Sequence, residues 1–157
     1  MNMNMLTRRS FVASLSAASL APSLTLANPT TLSASDAHAG LKSGNLILID
    51  VRTPQEWQET GVAEGAWPLD MREEAFGSWI LATLERNPTH QVAIICRSGN
   101  RSGRLMQLFS QNGIKGVLDV SEGMLGGSRG KGWIPTDLPV VSIQEAYNAM
   151  PKDLTIK

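Results

Sequence analysis

Cys96 has the clearest capacity for chemistry, and it is the one cysteine in a chain of 157 residues. A single thiol cannot close an internal disulfide, which leaves pairing between molecules, reactive chemistry, or the role of a small buried hydrophobe. Its neighbours favour the nucleophile. Arg97, Ser98, Gly99, Asn100, Arg101 and Ser102 follow it directly, bringing charge, hydroxyls and glycine rather than hydrocarbon. Two guanidinium groups, the amides of a glycine-bearing turn and the N–H groups opening a helix would all favour a thiolate. Gly99 lets the backbone turn inward where a side chain would obstruct.

Such a cradle needs a strand before the cysteine and a helix after it. Gln91–Ile95 is an apolar run of strand length, and a helix is predicted from about Arg101 to Asn112, with Leu105, Leu108 and Phe109 on one face. The thiol then sits at the carboxyl end of a parallel strand, where open α/β sheets place their ligand sites. Leu46–Val51 and Val117–Val120 are further buried-strand runs, and Ala66–Leu69 is a short strand limited by Pro68. Helices are predicted from Ser33, with Asp36 as its capping partner, to Gly44, and from Thr53-Pro54-Gln55-Glu56 to near Gly61. Two more run from Glu73 to Arg86 and from Ser142 to Met150, and the glycine-rich residues 123–132 form a loop. Alternating strands and helices give an α/β domain with a central parallel sheet flanked by helices.

The first 27 residues stand apart from this pattern. Thr7-Arg8-Arg9-Ser10-Phe11-Val12 opens a mildly apolar stretch that ends at Thr25-Leu26-Ala27. A basic start, a short apolar middle and a small-residue exit describe a secretory signal, here of twin-arginine type. Pro22 and the many serines argue against a membrane span. The expected organisation is a signal over 1–27, one domain with a short polar linker over 28–141, and a C-terminal helix and tail over 142–157. The expected location is periplasmic, with no stable membrane insertion once the signal is removed.

Of 14 basic and 14 acidic residues, Arg8 and Arg9 fall in that signal, leaving 12 against 14. That balance offers no basic face for nucleic acid. His38 and His90 lie far apart and resemble no metal ligand set.

Cys96-Arg97-Ser98-Gly99-Asn100-Arg101-Ser102 resembles the active loop of the rhodanese family. Asp50-Val51-Arg52-Thr53-Pro54-Gln55-Glu56-Trp57 resembles the family's early strand-and-turn motif. Gly65-Ala66 stands where the family has a Gly-Ala pair, and Gly132-Trp133 through Leu138-Pro139-Val140 resembles its terminal motif. The one departure is Gly61-Val62-Ala63-Glu64, where the family has Gly-His-Ile. The resemblance covers about 33–141 and implies a rhodanese-like three-layer fold.

It also implies a sulfurtransferase. The Cys96 thiolate would attack the outer sulfur of a thiosulfate-like donor, become a persulfide, and pass that sulfur to a thiol, cyanide or a protein acceptor. The amides of residues 97–101 would stabilise the charge, Arg97 and Arg101 would hold the donor's oxygens, and no metal or organic cofactor is implied. Ser98, Asn100 and Ser102 either hydrogen-bond the loop and donor or merely suit the turn. Asp50 and Arg52 either order the loop from behind or brace the strand end, Arg52 pairing with Glu56. The brace is favoured because this chemistry needs no acid–base carboxylate. A same-fold phosphatase would put five residues between cysteine and arginine, whereas four separate Cys96 from Arg101. A second alternative is a slow-turnover persulfide carrier or protein-binding module. The physiological donor and acceptor and the oligomeric state are not legible.

Overall fold

The structure, a computed structural model, describes residues 30–154. The expected signal over 1–27 therefore lies outside the described residues. The elements run β1 (Thr31–Leu32), α1 (Ala34–Lys42), β2 (Leu46–Asp50), α2 (Pro54–Thr60), β3 (Val62–Ala63), β4 (Trp67–Pro68) and α3 (Phe76–Arg86). They continue β5 (Gln91–Ile95), α4 (Asn100–Gln111), β6 (Val117–Val120), β7 (Val140–Val141) and α5 (Ile143–Ala149), with short 3-10 turns at Ile134–Thr136 and Lys152–Leu154.

Five strands form a parallel sheet in the order β1-β6-β5-β2-β4. The central runs are apolar without alternation because both faces are covered. Side chains alternate across a strand, so Leu46, Leu48, Ala93 and Ile95 pack with Ala34 and Ala37 of α1, Trp57 of α2 and Ala146 of α5. Ile47, Ile49, Val92, Ile94 and Cys96 face the other way, onto Phe76 and Ile80 of α3 and Leu105 and Phe109 of α4. The result is the expected three-layer arrangement, with Cys96 on the α3/α4 side.

Local chemistry explains the boundaries. Thr53 and Ser142 cap α2 and α5 through reciprocal capping boxes with Glu56 and Glu145. Pro68 lies in β4, an edge strand, where its missing N–H costs no ladder bond. Helix α3 begins at Phe76 rather than at the expected Glu73. The Asp70 carboxylate accepts from the Arg72 backbone N–H at 3.0 Å and from its guanidinium, and a turn follows through Glu73 N–H to Asp70 O. Those bonds spend the backbone on turns before the helix opens.

Three short strands depart from the expectation. Thr31–Leu32, within the expected linker, pairs in parallel with Asp119 and Val120. Val62 and Ala63, at the departure from the family pattern, are fully buried and pair antiparallel with Val141 and Val140. Beside that ribbon, Trp133 is fully buried and its Nε1–H donates to Pro139 O at 2.8 Å.

Candidate active site

Strand β5 ends at Ile95, and the register that buries Val92 and Ile94 sends Cys96 onto the same face. Only Arg97, Ser98 and Gly99 separate it from α4. The thiol is 1% exposed, yet it is not enclosed in hydrocarbon alone. Its Sγ accepts from the Gly99 N–H at 3.2 Å and lies 3.4 Å from the Ser102 hydroxyl. Asn100, Arg101 and Ser102 form the first turn of α4, whose N–H groups have no intrahelical acceptors, so the positive helix end stands at the sulfur.

Gly99 makes the geometry possible. Its φ is +82°, a left-handed value, and a Cβ built there would stand 1.9 Å from the Ser121 carbonyl oxygen. Any side chain would meet rigid backbone as well as an unfavourable backbone conformation. The loop's own side chains divide: Arg97 and Asn100 are exposed, Ser98 is half-buried, and Ser102 is fully buried beneath the sulfur.

The arginines are placed differently from expectation. Arg101 sends its guanidinium to Glu56, with Nη1 to Oε2 at 2.8 Å and Nη2 to Oε1 at 2.5 Å. A largely buried carboxylate thus occupies one edge of the Arg101 guanidinium, the edge made by Nη1 and Nη2. The hydrogen bond from Arg101, with help from Thr53 and against the effect of burial, holds the Glu56 carboxyl at about 2 instead of 4.5. One carboxylate thereby caps α2 and ties it to the first turn of α4. Arg97 makes no side-chain hydrogen bond or ion pair among the described residues and remains the loop's available cation.

Arg52 pairs with Asp50 rather than with Glu56. Its Nε reaches Oδ1 at 2.9 Å and its Nη2 reaches Oδ2 at 2.7 Å, both residues being buried. Further bonds to Thr60 Oγ1 and Gly61 O, each at 2.7 Å, tie the end of β2 to the end of α2. With every polar edge spent inside the protein, this pair is a brace behind the site.

The loop after β6 has a part that its sequence did not announce. Met124 N–H donates to Cys96 O and Leu125 N–H to Arg97 O, each at 2.8 Å. Arg129 Nη1 donates to Gly99 O at 2.8 Å. A Cβ on Gly123 would lie 2.6 Å from Arg97 O and Ser98 N, so the two loops lie backbone against backbone. The density of glycine at 123, 126, 127, 130 and 132 was the available signal. It marked a loop but not its contact with the cysteine turn. Asp119, 4% exposed on β6, was also missed, although a lone carboxylate in Val117-Leu118-Asp119-Val120 is unusual in a buried strand.

Residues 33–129 match the model of the rhodanese-like domain. An uncharacterized protein of Rickettsia conorii is 30% identical over 109 residues, covering 63% of this chain and 85% of that one. Among solved structures, a rhodanese-related protein of Thermoplasma volcanium is 29% identical, covers 71% of this chain and 96% of its own, and superposes with a TM-score of 0.50. A Rhodopseudomonas palustris protein of unknown function, described as a possible tyrosine phosphatase, is 23% identical with a TM-score of 0.55, covering 72% and 85%, a likeness of fold.

Proposed function

The chain belongs to the rhodanese-like domain family, and from that premise we propose that it is a sulfurtransferase working through a persulfide on Cys96. The single observation that carries the reading is the Gly99 amide, aimed at Sγ from 3.2 Å beside the first turn of α4. Such donors stabilise negative charge on sulfur before attack and again when the sulfur leaves. In the first half-reaction the thiolate attacks the outer sulfur of a thiosulfate-like anion, the S–S bond of the donor breaks with its electron pair going to sulfite, and Cys96 keeps the sulfur. In the second, a thiol, cyanide or protein thiolate attacks that outer sulfur and Cys96 leaves as thiolate. Arg97 draws the anion in as an exposed charge. Arg101 holds the first turn of α4 through Glu56 and adds positive potential at the sulfur.

A phosphatase reading is less well supported. The loop is one residue shorter between Cys96 and Arg101 than that chemistry uses, and the guanidinium that would hold phosphate is committed to Glu56. The test is thiosulfate:cyanide turnover in the full chain and in Cys96→Ser, with a phosphate ester as the second substrate. Sulfur transfer that disappears with the thiol supports the reading, and ester hydrolysis without sulfur transfer overturns it. A persulfide that forms but passes to neither cyanide nor thiols favours the carrier alternative.

Residues 1–27 are proposed as an export signal on their sequence pattern, which would put the domain in the periplasm. A mature protein recovered outside the cytoplasm with its N-terminus near Asn28 supports this. Recovery of an intact cytoplasmic N-terminus refutes it.

A further inference from the structure

The buried carboxylate of Asp119 has no part in the chemistry above, and its surroundings are unusual. It lies on β6, in register with Ile94 of β5, and faces the same side of the sheet as Ile94 and Cys96. Cys96 is two residues beyond Ile94 on the adjacent strand, so strand geometry puts the two Cα atoms roughly 8 Å apart. Ser102 links the two: it is fully buried, its Oγ stands 3.4 Å from Sγ, its O–H points to Gly99 O at 3.3 Å, and turning that one hydrogen about the Cβ–Oγ bond brings it to the Asp119 carboxylate, on which Ser102 already acts. Among the described residues Asp119 Oδ1 has no hydrogen-bond partner although it is buried, a costly arrangement for a carboxylate that does nothing.

The charged groups facing Asp119 are few. Arg129, from the loop after β6, approaches Oδ2 only to 3.9 Å with its Nη1, which donates one of its two hydrogens to Gly99 O. From α4 comes the Ser102 hydroxyl, from β5 the apolar Ile94, and from β1 the uncharged segment Thr30–Leu32. Burial pushes the Asp119 carboxyl up from the ordinary Asp range, while Ser102 and Arg129 pull the other way. Burial thus favours the protonated carboxyl more than solvent would.

We propose that Asp119 is a positioning residue that, through the Ser102 hydroxyl, takes up the proton Cys96 must shed before its sulfur attacks. Cys96 gives its S–H proton to Ser102 Oγ as the Ser102 O–H proton passes to the Asp119 carboxylate. The products are a thiolate, an unchanged serine hydroxyl now donating to it, and a neutral carboxylic acid. No electrons change owner and no outside reagent is consumed. When the sulfur acceptor later expels Cys96 as thiolate, the same path can return the proton. The inference rests on the sulfurtransferase reading for its purpose, but the proton shift is a property of the free thiol and can be tested without any sulfur donor.

The experiment is the pH dependence of Cys96 alkylation by iodoacetamide, measured on the full chain from about pH 5 to 10, a range that spans ordinary thiol ionisation. A thiol and a carboxyl sharing one proton titrate as a pair. The wild-type rate is therefore expected to rise in two steps, with a pH-independent shelf between them while the shared proton rests partly on Asp119. Asp119→Asn cannot take the proton and is expected to show one step, its rate falling roughly tenfold for each pH unit below the midpoint. Ser102→Ala breaks the path while keeping the Asp119 carboxyl group in the protein and is expected to lose the same shelf, so the test survives if Asp119→Asn does not fold. A one-step wild-type profile overturns the proposal, and so does a shelf that persists in Ser102→Ala. If the shelf is present but thiosulfate leaves no sulfur on the protein, the relay stands and the sulfurtransferase reading fails. If the protein loads sulfur but its alkylation profile has one step, the relay fails and the sulfurtransferase reading stands.

Discussion

Glu56→Gln separates the charge of the Glu56–Arg101 pair from its shape. Glutamine can still accept from Thr53 in the capping box, so α2 keeps its start. What is lost is the forked ion pair to the first turn of α4. A carboxyl held at about 2 instead of 4.5 corresponds to roughly 3 kcal/mol, at about 1.4 kcal/mol per pH unit. Arg101 is 32% exposed and Glu56 13%, so solvent screening reduces that figure, and the expected loss is about 1–2 kcal/mol at pH 7. The sign of the pH dependence follows from a lowered carboxyl pKa. The stabilisation is complete above 4.5 and is lost as pH falls toward 2. Urea unfolding of both proteins at pH 7, 5 and 3 provides the assay. The stability gap should be equal at pH 7 and 5 and should shrink by roughly half at pH 3. A gap of the same size at all three values, or no gap at pH 7, would refute the role assigned to this pair.

Gly99→Ala combines a left-handed backbone with a collision against the Ser121 carbonyl and is expected to cost roughly 2–4 kcal/mol. Thermal unfolding measures it, and an unchanged midpoint would contradict the described turn. Arg97→Ala is expected to raise the KM for thiosulfate several-fold at low salt, with kcat within about twofold, and the difference should fade as salt is added. Equal KM values at low salt would remove Arg97 from donor capture. In Arg129→Ala the Gly99 carbonyl loses its guanidinium donor and Asp119 its nearest cation, so sulfur transfer is expected to fall while the melting temperature drops by only a few degrees. Wild-type turnover in that variant would show that the second loop does not support the first.

Much of this was legible because local signals agreed with the fold. Leu46–Asp50 and Gln91–Ile95 read as strands buried on both faces, and Thr53 and Ser142 announced helix starts through partners three residues on. The short strands at Thr31–Leu32, Val62–Ala63 and Val140–Val141 have too few residues to show any period, and only their distant partners define them. The start of α3 was misread because the Asp70–Arg72 turn competes with the helix for the same backbone. At the site, the cysteine turn was readable from its own sequence. The partners of Arg52 and Arg101 were not, since two carboxylates were within plausible reach and the choice is made by tertiary packing. The role of residues 119–129 was hidden for a similar reason: the contact of Gly123 with Arg97 and Ser98 joins segments far apart in the chain.

Intact mass measurement of the full chain after brief exposure to thiosulfate, followed by peptide mapping, addresses the central claim most directly. Persulfide chemistry at this thiol predicts a gain of one sulfur atom, located on Cys96, removed by a thiol or cyanide and absent in Cys96→Ser. A chain that gains no sulfur under these conditions, or that carries it equally well in Cys96→Ser, would contradict it.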